Sequence, residues 1–362
     1  MSDQRTPTER IDLSQADDPR DVVHRAVACL AGGGVLAVPT LSGHAVAASA
    51  LHPAAVARLS RPSGDAPAGL TIRGHEELPD WVPGVSEPAR RLARKAWPGS
   101  VILQLPVPAG RGLLDRLAPE VRDRVTVEGR VSLRVPGHAL VADVLRLVQG
   151  PLVFIDASSE VIETADMALI ETRRRSPDKS ATVIQFDGDG WSVTREGALT
   201  RDDLTRMAGT VLLFICTGNT CRSPMAEAIC KTVLAERLGT TIDELASRGY
   251  FILSAGIGAN EGMPAAAHAV EIVKQRGGSL KSHQSQRVTS RLINEADAVI
   301  AMTRDHRDAL LYQMPHAVAR VRLLDAGGGD IDDPIGSDRA TYRRTAEAIE
   351  KHLVRLLDDL GL

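Results

Sequence analysis

Apolar runs alternate with amphipathic stretches along most of the chain, the order expected of linked strand and helix units. Residues 1–17 are polar and mixed in charge, and read as a solvated tail. Val22, Val23, Ala26, Val27 and Leu30 then recur at helical spacing, and Gly32-Gly33-Gly34 closes that helix. VLAVPT (35–40) follows as a buried strand. RVSLRVPGH (130–138) and PLVFIDAS (151–158) read as strands flanking the helix ALVADVLRLVQ (139–149). SATVIQFDGDGWSVTREG (180–197) reads as a hairpin turning at Asp187-Gly188-Asp189-Gly190.

A second start signal lies near residue 201, where RDDLTRMAGT forms a polar, helical connector. VLLFIC (211–216) is a continuous apolar run, as a central parallel strand should be. A tight loop and a helix follow it. FILSAG, the helix AAAHAVEIVKQRGG, the strand ADAVIAMT, the segment RVRLLDAGGGDIDDPIGS and a last amphipathic helix through about Leu360 complete a doubly wound α/β pattern. The expected organisation is a tail at 1–17, a first α/β domain at 18–204 and a second at 205–362, with no internal repeat between the halves.

Composition narrows the function. The 362 residues suit two domains. Lys and Arg (43) nearly balance Asp and Glu (46), which excludes a strongly basic nucleic-acid binder but leaves room for a local basic pocket. Aromatic residues make up 3% of the chain, so an extended base-stacking surface is excluded. No apolar run reaches the ~18–20 residues that span a bilayer. The polar start lacks the apolar stretch of a secretory signal, so a cytoplasmic protein with no membrane partner is expected. Four cysteines, Cys29, Cys216, Cys221 and Cys230, are too few for a disulfide scaffold.

The most informative segment is Cys216-Thr217-Gly218-Asn219-Thr220-Cys221-Arg222-Ser223, between the strand and its helix. A short loop there can turn successive backbone N–H groups inward to cradle a tetrahedral oxyanion, and the helix N-terminus adds partial positive charge. Cys216 at the strand end would face the cradle, where the N–H groups and Arg222 favour a nucleophilic thiolate. Arg222 can hold two phosphoryl oxygens at once. Gly218 and Asn219 suit the unusual backbone angles of such a loop. Ser223 can donate a hydrogen bond to the sulfur and ease its departure.

VLLFICTGNTCRSPMAEAI resembles the signature of the low-molecular-weight protein tyrosine phosphatases. The likeness runs on through Ser254-Ala255-Gly256, His283 and ADAVIAMT, from about residue 210 to the C-terminus. It implies a phosphocysteine intermediate on Cys216, Arg222 on the equatorial oxygens, no metal and no cofactor. It also requires a general acid on a distant loop, usually Asp before Pro, which identifies Asp333 in Asp332-Asp333-Pro334-Ile335-Gly336-Ser337. Gly327-Gly328-Gly329 would let that loop close over a substrate, or would simply form a surface turn. Within the family, CTGNTCRSPMAE and a DP-x-G-S loop resemble the bacterial protein arginine phosphatases. Their threonine, here Thr220, is thought to shape the pocket for a planar guanidinium. Ile335 stands where tyrosine enzymes often carry a ring. The implied substrate is a phosphoarginine protein, with phosphotyrosine as the alternative. A thioredoxin-coupled arsenate reductase would need resolving cysteines downstream, and none follows Cys230. Cys221 could pair with Cys216 under oxidation. Cys230 and Cys29 are expected in helix cores, and His268 and His283 in structural or exposed positions.

The first half resembles the YrdC-like threonylcarbamoyl-adenylate synthases through six pieces in order: 32–40, 57–70, 96–107, 131–140, 150–158 and 180–199. The likeness implies a twisted mixed sheet with a concave, basic face for ATP or another nucleotide, and for RNA. The chain departs from the family where the chemistry should be. The lysine-glycine-arginine-proline stretch is Leu59-Ser60-Arg61-Pro62, and the Ser-Ala-Asn motif is Asp156-Ala157-Ser158. Cations for phosphates are thinned to Arg61, Arg134 and Arg195, with Thr40, Ser180 and Thr182 as remaining polar contacts. A domain without synthase activity is expected, retained as a support or as a nucleotide-, RNA- or partner-binding module.

Overall fold

The computed structural model describes residues 8–41, 43–59, 68–107, 112–157, 159–171 and 180–362. Contacts divide the chain into one unit ending at Leu204 and another beginning at Thr205.

The N-terminal unit is built on a mixed sheet of eleven strands among the described residues. Its central strands are Leu36–Thr40, Gly43–Ser49 and Leu152–Ala157, joined antiparallel. One face is covered by two helices, Pro19–Ala31 and Ala139–Leu147, whose apolar stripes pack on these strands. The first helix starts where Asp18 accepts the Arg20 backbone N–H and Pro19 presets the first turn, and it stops at Gly32. At the far side, Thr182–Asp187 and Gly190–Arg195 form the expected hairpin, with Gly188 at φ +58° in its turn. Two expectations are corrected. The polar tail is not solvated throughout: Glu9–Asp12 pairs in parallel with the strand Met167–Ile170. It is a short edge strand held by backbone hydrogen bonds, which leave no mark on hydropathy. Cys29 lies half-buried at the rim of the helix–sheet cluster rather than within it.

The C-terminal unit contains β1 (Thr210–Cys216), α1 (Arg222–Leu238), β2 (Tyr250–Gly256), α2 (Ala267–Gln275), α3 (Ser290–Glu295), β3 (Ala298–Ala301), α4 (Arg304–Gln313), β4 (Val321–Leu323) and α5 (Arg339–Asp359). The four strands are parallel in the order β2-β1-β3-β4. β1 is buried on both faces, which explains its unbroken apolar run. Val211, Leu213 and Ile215 pack with residues of α3 and α4. Leu212, Phe214 and Cys216 pack with α1, α2 and α5 on the opposite face. The helices therefore wrap both sides of the sheet. The chain turns from β1 toward β2 on one flank and β3 on the other, so a crevice opens beyond the carboxyl end of β1. Cys216 is the residue at that end.

Candidate active site

Residues 217–221 link β1 to α1 and form a tight loop whose carbonyl groups are tied outward. Cys216 O accepts from Ile257 N (3.0 Å), Thr217 O from Gly258 N (3.0 Å), and Thr220 O from Ala266 N (2.9 Å). Asn219 O lies 2.8 Å from His283 Nε2; a carbonyl only accepts, so that nitrogen carries the hydrogen. With these four carbonyls engaged elsewhere and the Asn219 N–H turned to the Cys216 sulfur, the loop takes the form of a backbone nest that attracts an oxyanion. His283 is structural, as expected.

The left-handed residue of the loop is Asn219, at φ +54°. Gly218 is not in that region, a correction to the expectation that both would be. Asn219 holds the strained turn because its side chain is fixed at both ends. Its Nδ2 donates to Ser223 Oγ (3.0 Å) and Ser254 Oγ (2.9 Å), and its Oδ1 accepts from Gln286 N (2.9 Å). Gly256, at the end of β2, serves the same loop. A Cβ there would stand 2.5 Å from Thr217 O and 2.9 Å from Asn219 N, both backbone atoms.

The Cys216 sulfur receives the Asn219 backbone N–H at 3.3 Å and meets Ser223 Oγ at 2.9 Å. The direction of that second contact follows from its neighbours. Ser254 donates to the Glu227 carboxylate at 2.6 Å, so it accepts from Asn219. Asn219 also donates to Ser223, so the Ser223 hydroxyl hydrogen is shared between the sulfur and the more distant Ala255 O at 3.4 Å. A chain of hydrogen bonds thus runs from Glu227 to a donor beside Cys216. Glu227 is itself paired with Lys231 at 2.5 Å. The N-terminus of α1, which begins at Arg222, adds its partial positive charge.

Arg222 is buried, and its guanidinium spans to the acidic loop. Nη1 donates to Ile331 O (3.2 Å) and Nη2 to Asp333 Oδ2 (2.6 Å). Ile331 N donates to Met302 O at 2.9 Å, which anchors this loop beyond β3. Asp333 Oδ1 accepts from Ile335 N at 3.2 Å, while Asp332 points to solvent. The structure therefore brings Asp333 of a distant loop to Arg222, which shares the β1–α1 segment with Cys216 and Ser223. Ile335 is 67% exposed and Thr220 half-buried. The triple glycine is braced, because Asp325 accepts from Gly327 N (2.8 Å) and Gly329 N (3.1 Å).

Three neighbours of the loop carry no local sequence signal. Tyr342 of α5 places its hydroxyl 3.2 Å from Cys221 Sγ, and burial together with that contact pushes the phenol well up. His268 lies with its ring 5.4 Å from Tyr342. His306 of α4 reaches Thr217 Oγ1 at 2.9 Å. Cys221 is free, as are the other cysteines, and Cys230 is fully buried, which pushes its thiol up to about 12.

The N-terminal candidates are distributed differently. Arg134 Nη1 donates to Asp156 Oδ1 (2.9 Å) and Arg195 Nη2 to Asp156 Oδ2 (3.3 Å). Burial alone would push the Asp156 carboxyl up, but the two guanidiniums outweigh it and hold the group below the ordinary carboxylate range. Arg134 also stacks 5.5 Å from the Phe154 ring. Arg195 donates through Nε to Ala181 O. Thr40 is buried at the end of its strand, Thr182 Oγ1 accepts from Leu199 N, and Ser180 is exposed. Arg61 lies outside the described residues, as do Ser60, Pro62 and Ser158. Among the described residues the two expected phosphate-facing cations converge on a carboxylate of the chain itself, while Arg134 Nε and Nη2 are buried without a hydrogen-bond partner.

Among the described residues no helix is long and apolar enough to cross a membrane. A family model described as telomere recombination, of the Sua5, YciO and YrdC group, matches residues 28–197. One described as low molecular weight phosphotyrosine protein phosphatase matches residues 211–361. The protein-arginine-phosphatase of Bacillus subtilis (strain 168) is 35% identical over 153 residues, which span 41% of this chain and 95% of that relative. The protein-arginine-phosphatase of Geobacillus stearothermophilus is 33% identical over 153 residues, with the same coverage. A probable low molecular weight protein-tyrosine-phosphatase, EpsP of Ralstonia solanacearum, is 34% identical over 146 residues, covering 40% of this chain and 87% of the relative. A crystal structure of a YwlE mutant from Bacillus subtilis matches with 34% identity and a TM-score of 0.38, over 42% of this chain and all of that one. A cysteine-bearing loop, an arginine at its end, a carboxylate across from it, the family model and the protein relatives similar in sequence converge on one assignment: through its C-terminal domain, the chain belongs to the low molecular weight phosphotyrosine protein phosphatase family.

Proposed function

We propose that the C-terminal domain is a protein arginine phosphatase whose reaction runs through Cys216. The Cys216 sulfur attacks phosphorus in line; an S–P bond forms and the P–N bond to the guanidinium breaks. Asp333 gives its proton to the departing nitrogen. Water then attacks phosphorus, Asp333 takes the water proton, the S–P bond breaks and orthophosphate leaves with the thiolate restored. Thr217–Ser223 supply N–H groups to the equatorial oxygens, and Arg222 holds two of them. Arg222 exchanges Asp333 for the phosphoryl group when substrate arrives, which frees the carboxyl to act on the leaving group.

The observation that carries the arginine reading is the wall of the cradle: Thr220 inside the loop, and an exposed aliphatic Ile335 after Asp333-Pro334 with no ring in the 327–338 segment to clasp a phenyl group. The two protein-arginine-phosphatases similar to this chain support it. The similarity to EpsP favours phosphotyrosine as the second reading, with the same mechanism. Phosphate release from matched phosphoarginine and phosphotyrosine peptides separates them, with wild type beside Cys216→Ser and Thr220→Ile. The arginine reading predicts a phosphoarginine preference that shifts toward phosphotyrosine in Thr220→Ile. A tyrosine preference in the wild type overturns it.

For the N-terminal domain we infer a supporting or binding module without synthase activity, because Asp156 takes up Arg134 and Arg195. Threonine-dependent release of pyrophosphate from ATP would overturn this. Thermal shifts with ATP and with short RNA test whether the face still binds either. Four free thiols fit a reducing, cytoplasmic setting.

A further inference from the structure

His306 sits in the first turn of α4, 7% exposed, and both its ring nitrogens meet threonine hydroxyls. Nδ1 is 2.8 Å from Thr303 Oγ1 and Nε2 is 2.9 Å from Thr217 Oγ1. Thr303 caps the helix, its Oγ1 accepting from the His306 backbone N–H at 3.3 Å. The Thr303 hydroxyl also has a hydrogen and a second lone pair, so it can pair with Nδ1 in either tautomer of the ring. In both tautomers Nε2 and Thr217 Oγ1 share one hydrogen bond, which fixes the threonine hydroxyl. Burial, followed by the charge of Arg222, holds His306 below the ordinary histidine range against the opposing charges of Asp333, Asp305 and Asp330, so the ring is neutral at pH 7.

Thr217 follows the nucleophile and is exposed at the mouth of the loop. Holding an exposed hydroxyl in one rotamer costs side-chain entropy, and a buried imidazole is spent on it. With one hydrogen bond spent on His306, Thr217 Oγ1 keeps at least one acceptor lone pair for whatever enters the crevice. A guanidinium leaving group brings N–H donors that need an acceptor there. A phenyl ring brings none, and leaves the hydroxyl unpaired as it excludes water.

We propose that Thr217 is a specificity-determining contact for a nitrogen-bearing leaving group and that His306 is the positioning residue that aims its hydroxyl. This rests on the arginine phosphatase reading. The test is the ratio of kcat/KM for a phosphoarginine peptide over a phosphotyrosine peptide of the same sequence, in wild type, Thr217→Val, His306→Leu, the double variant and His306→Gln. Each single variant is expected to lower the ratio about tenfold, on the scale of one specificity hydrogen bond. The double variant falls no further than the singles, because both remove one interaction. His306→Gln, which keeps an N–H near the Nε2 position, recovers most of the loss. Thr217→Val is an exposed replacement and keeps the test open if His306→Leu fails to fold. Equal losses on both substrates, or multiplicative losses in the double variant, overturn this inference alone. A wild type that prefers phosphotyrosine overturns the arginine reading and this inference with it.

Discussion

Arg222 Nη2 and Asp333 Oδ2 stand 2.6 Å apart, so the cation proposed to hold a phosphoryl group and the acid proposed for its leaving group hold each other. The two residues lie 111 positions apart in the chain. The contact keeps the acidic loop beside the cradle and sets up a competition: an incoming oxyanion must displace a carboxylate.

Asp333→Asn separates chemistry from binding. Losing a general acid should lower kcat by about 10²–10⁴-fold. Removing the competing negative charge should leave orthovanadate inhibition as tight as in the wild type, or tighter. A proportional loss of vanadate binding would show that Asp333 supports the cradle instead of protonating the leaving group.

Asn219 allows its backbone and side-chain roles to be told apart. Asn219→Gly keeps the φ +54° turn and deletes three side-chain hydrogen bonds, which should cost about 2–4 kcal/mol. Asn219→Ala should cost about 1 kcal/mol more, because alanine is strained in the left-handed region. Urea unfolding followed by circular dichroism measures both, and equal stabilities would refute the backbone component.

Gly256→Ala puts a methyl group against the backbone of Thr217 and Asn219. Neither atom can move without reshaping the loop. Turnover and vanadate affinity should both fall at least about tenfold, while far-UV circular dichroism stays native. Undiminished vanadate binding would show that the loop tolerates the shift.

Asp156→Asn tests the charge cluster of the N-terminal domain. All three tryptophans, Trp81, Trp97 and Trp191, lie in that domain, so fluorescence reports its unfolding alone. Two largely buried arginines lose their counter-charge, at a cost of about 3 kcal/mol at pH 7. The carboxyl is held low in the folded state, so the folded domain binds fewer protons than the unfolded one as pH falls. The difference between wild type and variant is therefore full above about pH 4, the ordinary carboxylate value, and shrinks as pH falls through the folded value. A pH-independent difference would assign the loss to packing.

Iodoacetate should modify Cys216 first, with loss of activity and protection by inorganic phosphate. Cys230, fully buried and pushed up to about 12, should react only on unfolding. Peptide mass spectrometry distinguishes the two, and early labelling of Cys230 would contradict its burial.

The strand, the eight residues of the loop and the start of α1 are legible in the sequence because their chemistry is local. An apolar run, a cysteine, an arginine six positions on and a helix pattern are read from neighbours along the chain. Asp333 is legible only through the family resemblance, which asks for an aspartate before a proline; the structure sets it beside Arg222. What sequence could not show are the partnerships that only packing creates. His306 meets Thr217 across 89 positions and Tyr342 meets Cys221 across 121. Asp156 draws in Arg134 from a neighbouring strand region and Arg195 from a distant hairpin, turning two expected phosphate ligands into an internal ion cluster. Glu9–Asp12 joins a sheet through main-chain hydrogen bonds that its polar side chains conceal. Local pattern determines which segments become strand, loop and helix. Which side chains share a buried space is decided when the sheet closes, because hydrogen bonding and charge act over a few ångströms of space, whatever the separation along the chain.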